Sequence, residues 1–409
     1  MMKIKNRWHI AVMGACIHLL LGTVYAWSFF QNPISETYQW TQGETAWAFS
    51  ISIFMLGVTA AWAGSKMNEI GVRKLACVGG ILYALGYIIS YFALAYTSLP
   101  LLYLGFGVIG GIGLGMAYVT PVATVASWFP DQQGLATGIV VMGFGLGAFV
   151  MSKLLAPFFL QWFDGDLASS FLGIGIFLLL LLPLFSLFLY DNALTKDNNN
   201  DEAHRFDIKK YIFSKNYVLI WLFFSINIIA GMIFIAFQSP LLQDILMDEG
   251  QNNISVLEQK GATLIAVSAI CNGIGRFFWG NISDRIGKIQ AFRVLFLLEL
   301  IVFIVLIFSR NSALFFIGVC VILLCYGGGF GILPSLIKEQ FGMKMMATMY
   351  GITLIGWGIG GIVGPQIIAM LKDQNPDEAG FYSYFLGTIL ITIALLFSFL
   401  VKTKKMKSL

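Results

Sequence analysis

Twelve times along this chain a run of about 20 predominantly apolar residues appears, the length an α-helix needs to cross a hydrocarbon core roughly 30 Å thick. The runs fall near residues 8–30, 43–64, 72–94, 99–122, 134–158, 168–190, 216–238, 260–282, 288–309, 312–337, 345–370 and 380–401. Soluble domains carry about 25% charged residues, whereas here 11% are charged and 58% are apolar. This pattern predicts an all-α membrane protein of twelve transmembrane helices. The start, MMKIKNRW, has the charge order of a signal peptide, but the apolar run behind it is too long and lacks a small-x-small cleavage site, so it reads as a retained first helix.

Lys and Arg collect in cytoplasmic loops. With the N-terminus inside, 20 of the 25 basic residues fall on that side. Lys260, Arg310 and Lys372 fall outside, and Lys153 and Arg276 lie within apolar runs. The expectation is a multi-pass protein of the cytoplasmic (inner) membrane with both termini cytoplasmic and the lipid bilayer as its medium. The net charge of +4 follows from this sidedness and calls for no nucleic-acid partner. The five cysteines lie in apolar runs without metal-type spacing and the histidines are only His9, His18 and His204, so neither a disulfide framework nor a metal site is indicated. No cofactor is implied, and a monomer is expected.

The longest polar stretch, DNALTKDNNNDEAHRFDIKKYIFSK, reads as a solvated linker. It divides the chain into a bundle of six helices over 1–190, a linker over 191–215 and a second bundle over 216–409. The halves echo each other. Gly138, Gly143, Phe144, Gly145 and Gly147 return as Gly351, Gly356, Trp357, Gly358 and Gly360 at a constant offset of 213, and Pro121 returns as Pro334. After the second and eighth runs come GSKMNEIGVRK and GNISDRIGKIQ, each with a glycine, a second glycine seven residues on, and then a base.

At these segments the sequence resembles the major facilitator superfamily over essentially its whole length. The two loops are similar to that family's Gly-x-x-x-Asp-Arg-x-Gly motif, which implies two pseudo-symmetric six-helix bundles rocking about a central site. As gating residues the resemblance assigns Gly64, Asn68, Gly71 and Arg73 in the first copy and Gly280, Asp284, Arg285 and Gly287 in the second. The first copy departs from the pattern, with Asn68 for the acid and Glu69 for the base. Within the superfamily, NRW (6–8), LGTVYAWSFF (21–30), WFPDQQGLATG (128–138) and NGIGRFFWGNISDRIG (272–287) resemble the oxalate:formate antiporter family, which includes bacterial monocarboxylate carriers.

The residues themselves point to an anion. Arg276 is the only charge between Lys260 and Asp284. A mid-helix Arg costs about 2.5–3.5 kcal/mol on insertion scales and usually faces a water-filled path or a counter-ion. Its planar fork can hold a carboxylate through two parallel hydrogen bonds. Snorkelling to the cytoplasm is the other reading, since Asp284 is about 12 Å farther along a helix. Asn272, four residues earlier, shares the face of Arg276 and can orient the same ligand; the resemblance places the family's anion-binding Arg at this position too. Tyr118, Tyr326 and Phe330 can close over a small carboxylate or simply fill helix interfaces. Tyr25 and Trp27 suit either an interfacial belt or a pore wall, in a helix expected to end at Asn32-Pro33. His18, two turns before Tyr25, is a proton carrier or a structural hydrogen-bonding residue. Glu299 reads as protonated packing outside the cavity, and Lys153 as snorkelling.

The resemblance places a second, lysine cation of oxalate carriers where this chain has Trp357. One fixed cation suits one carboxylate, because a second buried negative charge would stand unpaired. The expectation is therefore a secondary carrier of small monocarboxylates (lactate, pyruvate or formate type), with a proton or counter-anion as partner, and not an enzyme. Anion exchange of the oxalate/formate type is the alternative, with a transporter-like carboxylate sensor behind it.

Overall fold

The structure is a computed structural model that describes residues 7–129, 133–190, 211–341 and 343–401, with backbone only at 68, 133–135 and 343–348. The linker expected over 191–215 therefore lies mostly outside the described residues. Among those described there are twelve helices long and apolar enough to cross a membrane. They are α1 (Trp8–Tyr38), α2 (Gln42–Met67), α3 (Val72–Ala95), α4 (Leu99–Trp128), α5 (Ala136–Trp162), α6 (Leu167–Ser186), α7 (Lys215–Asp248), α8 (Ile254–Ile286), α9 (Lys288–Ile307), α10 (Ser312–Phe341), α11 (Met349–Gln374) and α12 (Pro376–Leu400).

Local chemistry sets several ends. Thr41 and Glu44 form a reciprocal capping box at the start of α2. Asp166 and Asn253 cap α6 and α8 by accepting the backbone N–H of Ser169 and Val256. The second glycine of each repeated loop, Gly71 and Gly287, closes its helix at φ 90° and 93°, a conformation that glycine adopts without steric cost.

Some helices outrun the expected spans. α1 continues through Pro33 to Tyr38 instead of stopping at Asn32-Pro33. Proline removes one hydrogen bond from a helix, while side-chain bonds hold the segment beyond it, with Ser35 Oγ donating to Trp40 O and Gln31 Nε2 to Gln42 O. α7 runs ten residues past its expected end, where Lys372 pairs with Asp244 at 2.6 Å.

Helix contacts repeat across the two halves. In the first, α1 packs on α5, α2 on α4, and α3 on α4 and α6; in the second, α7 packs on α11, α8 on α10, and α9 on α10 and α12. α1 touches α7, and two larger seams join the halves, α2 against α11 and α5 against α8. Both rest on glycine. A Cβ on Gly57 would come 2.7 Å from Leu354 O and 2.9 Å from Gly358 N, and one on Gly145 would come 2.7 Å from Gly273 Cα. Such small-residue seams let helices approach closely where lipid supplies no hydrophobic drive. Around the outside, Leu180, Ile301, Phe308 and Phe399 are exposed, as an apolar solvent requires and water would penalise.

Residues 190 and 211 mark one end of the bundle, here the linker end. Hydrogen bonds join the halves at the centre and toward the opposite end. Asp373 accepts the backbone N–H groups of Gln42 (2.9 Å) and Gly43 (2.8 Å), Gln366 donates to Ser50, and Lys153 Nζ donates to Thr263 Oγ1 at 2.8 Å. At the linker end Trp128 donates to Tyr190 O and Arg293 to Ser398 O, each within one half.

Candidate functional site

Glycines decide where the central side chains sit. On α10, Gly327 and Gly331 lie against α8 so closely that a side chain on either would run into the carbonyl oxygen of Asn272 or Arg276. α8 is thereby pressed onto α10, and its Asn272–Arg276 face turns toward the first half.

Arg276 is 1% exposed, and its Nε, Nη1 and Nη2 have no hydrogen-bond partner. That burial sets aside the snorkelling geometry. No salt bridge among the described residues includes it. Its charge instead meets ring faces, with Cζ 4.8 Å from the Phe330 centroid and 5.7 Å from that of Phe144. Asn272 Oδ1 is buried without a partner.

An aromatic cluster shared by both halves closes over this pair. Trp357 stands 4.8 Å from Phe330, 5.1 Å from Tyr118 and 5.7 Å from Phe144, centroid to centroid. Tyr25 packs on Phe144 and Trp357, and its hydroxyl shares a 2.7 Å hydrogen bond with that of Tyr326. Tyr25 is carried on a tighter 3₁₀ turn, Gly22–Ala26, inside α1, a break of the kind that often marks a hinge. The hydroxyl of Tyr118 lies near Arg276 and near the hydroxyl of Tyr350 without making a hydrogen bond to either. The remaining cavity, lined by Tyr25, Gly145, Gln238, Ser268 and Asn272 among others, is about 10 Å³. That holds roughly one water, so this state is closed around its centre.

The structure thus brings Arg276, Asn272, Tyr118, Tyr326, Phe330, Tyr25 and Trp357 together. His18 lies beside them, stacked on Tyr118 at 4.8 Å, with Nε2 donating to Tyr118 O at 2.8 Å. A carbonyl only accepts, which fixes the proton on Nε2 and leaves Nδ1 without a partner. Trp27 packs on Phe106 inside the first half, where its Nε1 donates to Gln31. Glu299 lies away from the centre, its carboxyl accepting from Asn227 Nδ2 at 3.0 and 3.1 Å. Lys153 is carried on a local π-type widening of α5, Met151–Leu155, and its ammonium bonds across the seam to Thr263.

The residues that the resemblance assigns to gating lie at the linker end. Gly64 faces Val119 on α4 and Gly280 faces Gly331 on α10. Arg73 donates to Leu189 O and stacks 4.4 Å over Tyr190. Asp284 pairs with Lys288 in its own loop, and Arg285 is exposed. The side chain of Asn68 lies outside the described residues.

Sequence reasoning passed over Phe144, Tyr350, Gln238 and Ser268. The repeat held a signal for the first, since Phe144 and Trp357 are repeat partners and meet at the boundary between the halves. Ser268 also carried one, because Ser268, Asn272 and Arg276 follow at intervals of four along a single helix face.

Two bundles of six helices around a sealed, unpaired cation define a membrane transporter fold, and the chain belongs to the Major Facilitator Superfamily, whose profile matches residues 11–365. It is a multi-pass membrane protein. Its relatives include the oxalate:formate antiporter of Oxalobacter formigenes, 24% identical over 370 residues, covering 88% of this chain and 85% of that one. The uncharacterized MFS-type transporter YhjX of Escherichia coli is 24% identical over 365 residues, 88% of this chain and 86% of that protein. Apicoplast pyruvate carrier 1 of Toxoplasma gondii is 23% identical over 367 residues, 75% and 66% of the two chains. Among solved structures, a bacterial homolog of the human lysosomal transporter Spinster in an inward-facing, occupied conformation matches with a TM-score of 0.69 at 17% identity, covering 97% of this chain and 96% of that one. That likeness concerns the fold.

Proposed function

We propose that this protein is a secondary carrier of small monocarboxylates of the lactate, pyruvate or formate type, moved together with a proton by alternating access. The observation that carries the reading is Arg276, a buried guanidinium with three unbonded nitrogens and aromatic rings where a counter-ion would stand. An uncompensated buried charge is strongly unfavourable, and a substrate carboxylate received bidentately relieves that state. One cation and apolar walls favour one carboxylate. The two bundles, 1–190 and 216–409, are the moving bodies, and 191–215 joins them. Both termini lie in the cytoplasm by the distribution of Lys and Arg, the membrane being the cytoplasmic one and the working unit a monomer.

Coupling follows from charge. If the empty carrier reorients and the carrier holding only one of its two ligands does not, an inward proton gradient drives accumulation. We assign the proton to the substrate–Arg276 environment and treat His18 as a structural tie, because its Nε2–H is spent on Tyr118 O. Exchange of the oxalate/formate type is the second reading, favoured by the likeness to the Oxalobacter antiporter.

Uptake into proteoliposomes separates the two. Under symport, labelled lactate accumulates when the outside is acidified from about 7.5 to 5.5, a range around the reference His pKa near 6.5, and His18→Gln keeps this response. Accumulation driven by internal formate but not by a pH gradient would replace symport with exchange.

A further inference from the structure

Beyond the aromatic cluster, on the side away from the linker end, lies a second buried polar group. Gln238 on α7 is 2% exposed and Ser268 on α8 is 0% exposed. Ser268 Oγ lies 2.6 Å from Gln238 Oε1 and 3.1 Å from Ile265 O, and its single proton goes to the nearer acceptor, Gln238. Among the described residues no hydrogen bond uses Gln238 Nε2, which leaves one amide donor of this pair unspent. Both residues line the small central cavity together with Asn272, whose Oδ1 is unpartnered, and the other walls include Ile235, Ile265 and Leu323. In a membrane interior such a group is costly unless packing or a ligand uses it.

The geometry suits the far end of a short substrate. Ser268 and Arg276 are separated by eight residues of α8, about 12 Å of rise. Long side chains on a helix lean back toward its N-terminus, a direction that on Arg276 shortens the gap. A carboxylate on the guanidinium then directs its second and third carbons toward Gln238.

We propose that the Gln238–Ser268 pair reads an oxygen on the second carbon of the substrate, so that the carrier prefers 2-hydroxy and 2-oxo acids to unsubstituted acids of the same length. Ser268 fixes the amide by engaging its oxygen, which leaves Nε2 to donate to a hydroxyl or keto oxygen. An unsubstituted acid leaves that donor unpaired as water withdraws, and a site built to bond an oxygen rejects the analogue lacking one. Gln238 is thus a specificity residue, and Ser268 positions it. This inference rests on the monocarboxylate reading and deepens it.

The test compares proteoliposome uptake of labelled L-lactate, pyruvate and propionate by the wild type, Gln238→Met and Ser268→Ala. Methionine keeps the length of glutamine without its donor. We expect the wild type to favour lactate and pyruvate over propionate. In Gln238→Met that preference should fall by about twofold to tenfold, the range of one hydrogen bond; Ser268→Ala should lower it less. If Gln238→Met does not accumulate as folded protein, the ratio in Ser268→Ala decides. An unchanged lactate-to-propionate ratio, or a wild type indifferent between the acids, overturns the inference and leaves the carrier reading standing. A wild type that transports none of the three removes both.

Discussion

The two halves of this molecule repeat their helix contacts and divide their chemistry. By the spacing that relates Gly64 to Gly280 and Gly71 to Gly287, the first-half counterparts of Arg276, Gly273 and Asn272 are Ala60, Gly57 and Leu56. The glycines keep equivalent jobs, Gly57 against α11 and Gly273 against α5. The polar residues do not: the second half alone brings the cation and amide, while both halves bring rings, Tyr25, Tyr118 and Phe144 from the first and Tyr326, Phe330 and Trp357 from the second. Symmetry is kept where the bundles must slide and abandoned where a ligand must be held. A site with one charge set among rings suits a ligand with one anionic end.

Arg276→Lys breaks the charged wall most sharply. Charge is retained and the fork is lost, so substrate binding should weaken at least tenfold, given that a hydrogen bond to a charged group contributes about 1.5–3 kcal/mol. Uptake equal to wild type at equal membrane abundance would take Arg276 out of the site. Trp357→Lys moves a cation onto the seam. Lactate binding should fall, because Trp357 packs on Tyr118, Phe144 and Phe330, and oxalate uptake should appear, since a second carboxylate gains a partner. Continued exclusion of oxalate would contradict the one-cation argument.

A smaller effect separates the tyrosines. Tyr118→Phe removes a hydroxyl that has no hydrogen bond here, so thermal stability should be unchanged while lactate binding weakens about twofold to tenfold, the worth of one neutral hydrogen bond. Tyr25→Phe also breaks the bond to Tyr326 and should lower both quantities. Matching melting temperatures with matching affinities would show that neither hydroxyl touches substrate. The smallest change is expected from Asn68→Asp, which restores an acid to the loop where the second copy has Asp284. It should alter cysteine accessibility at the two ends of the bundle more than binding, and identical labelling would remove position 68 from gating.

How far the sequence reached follows the physics of each feature. Membrane spans were legible because a hydrocarbon core demands long apolar runs whatever packs on them. Arg276 stood out because charge in such a run is expensive. The aromatic partners were harder: with 36 Phe in the chain, nothing local separates Phe144, which faces the guanidinium, from Phe171, which packs on Tyr87 and Phe30. The bond of Lys153 across the seam was not legible because its partner, Thr263, is 110 residues away. The extension of α1 past Pro33 depended on bonds to Trp40 and Gln42, which a proline rule does not contain. Gln238 and Ser268 are ordinary polar residues until two helices meet and enclose them.

The most direct test of the central claim, that a lone buried guanidinium selects a single carboxylate, is counterflow in proteoliposomes of the wild-type protein. Liposomes loaded with unlabelled lactate, formate or oxalate would be challenged with each labelled acid in turn. The account predicts that lactate or formate exchanges with itself and that oxalate neither enters nor drives entry. Oxalate counterflow as fast as that of the monocarboxylates would contradict it.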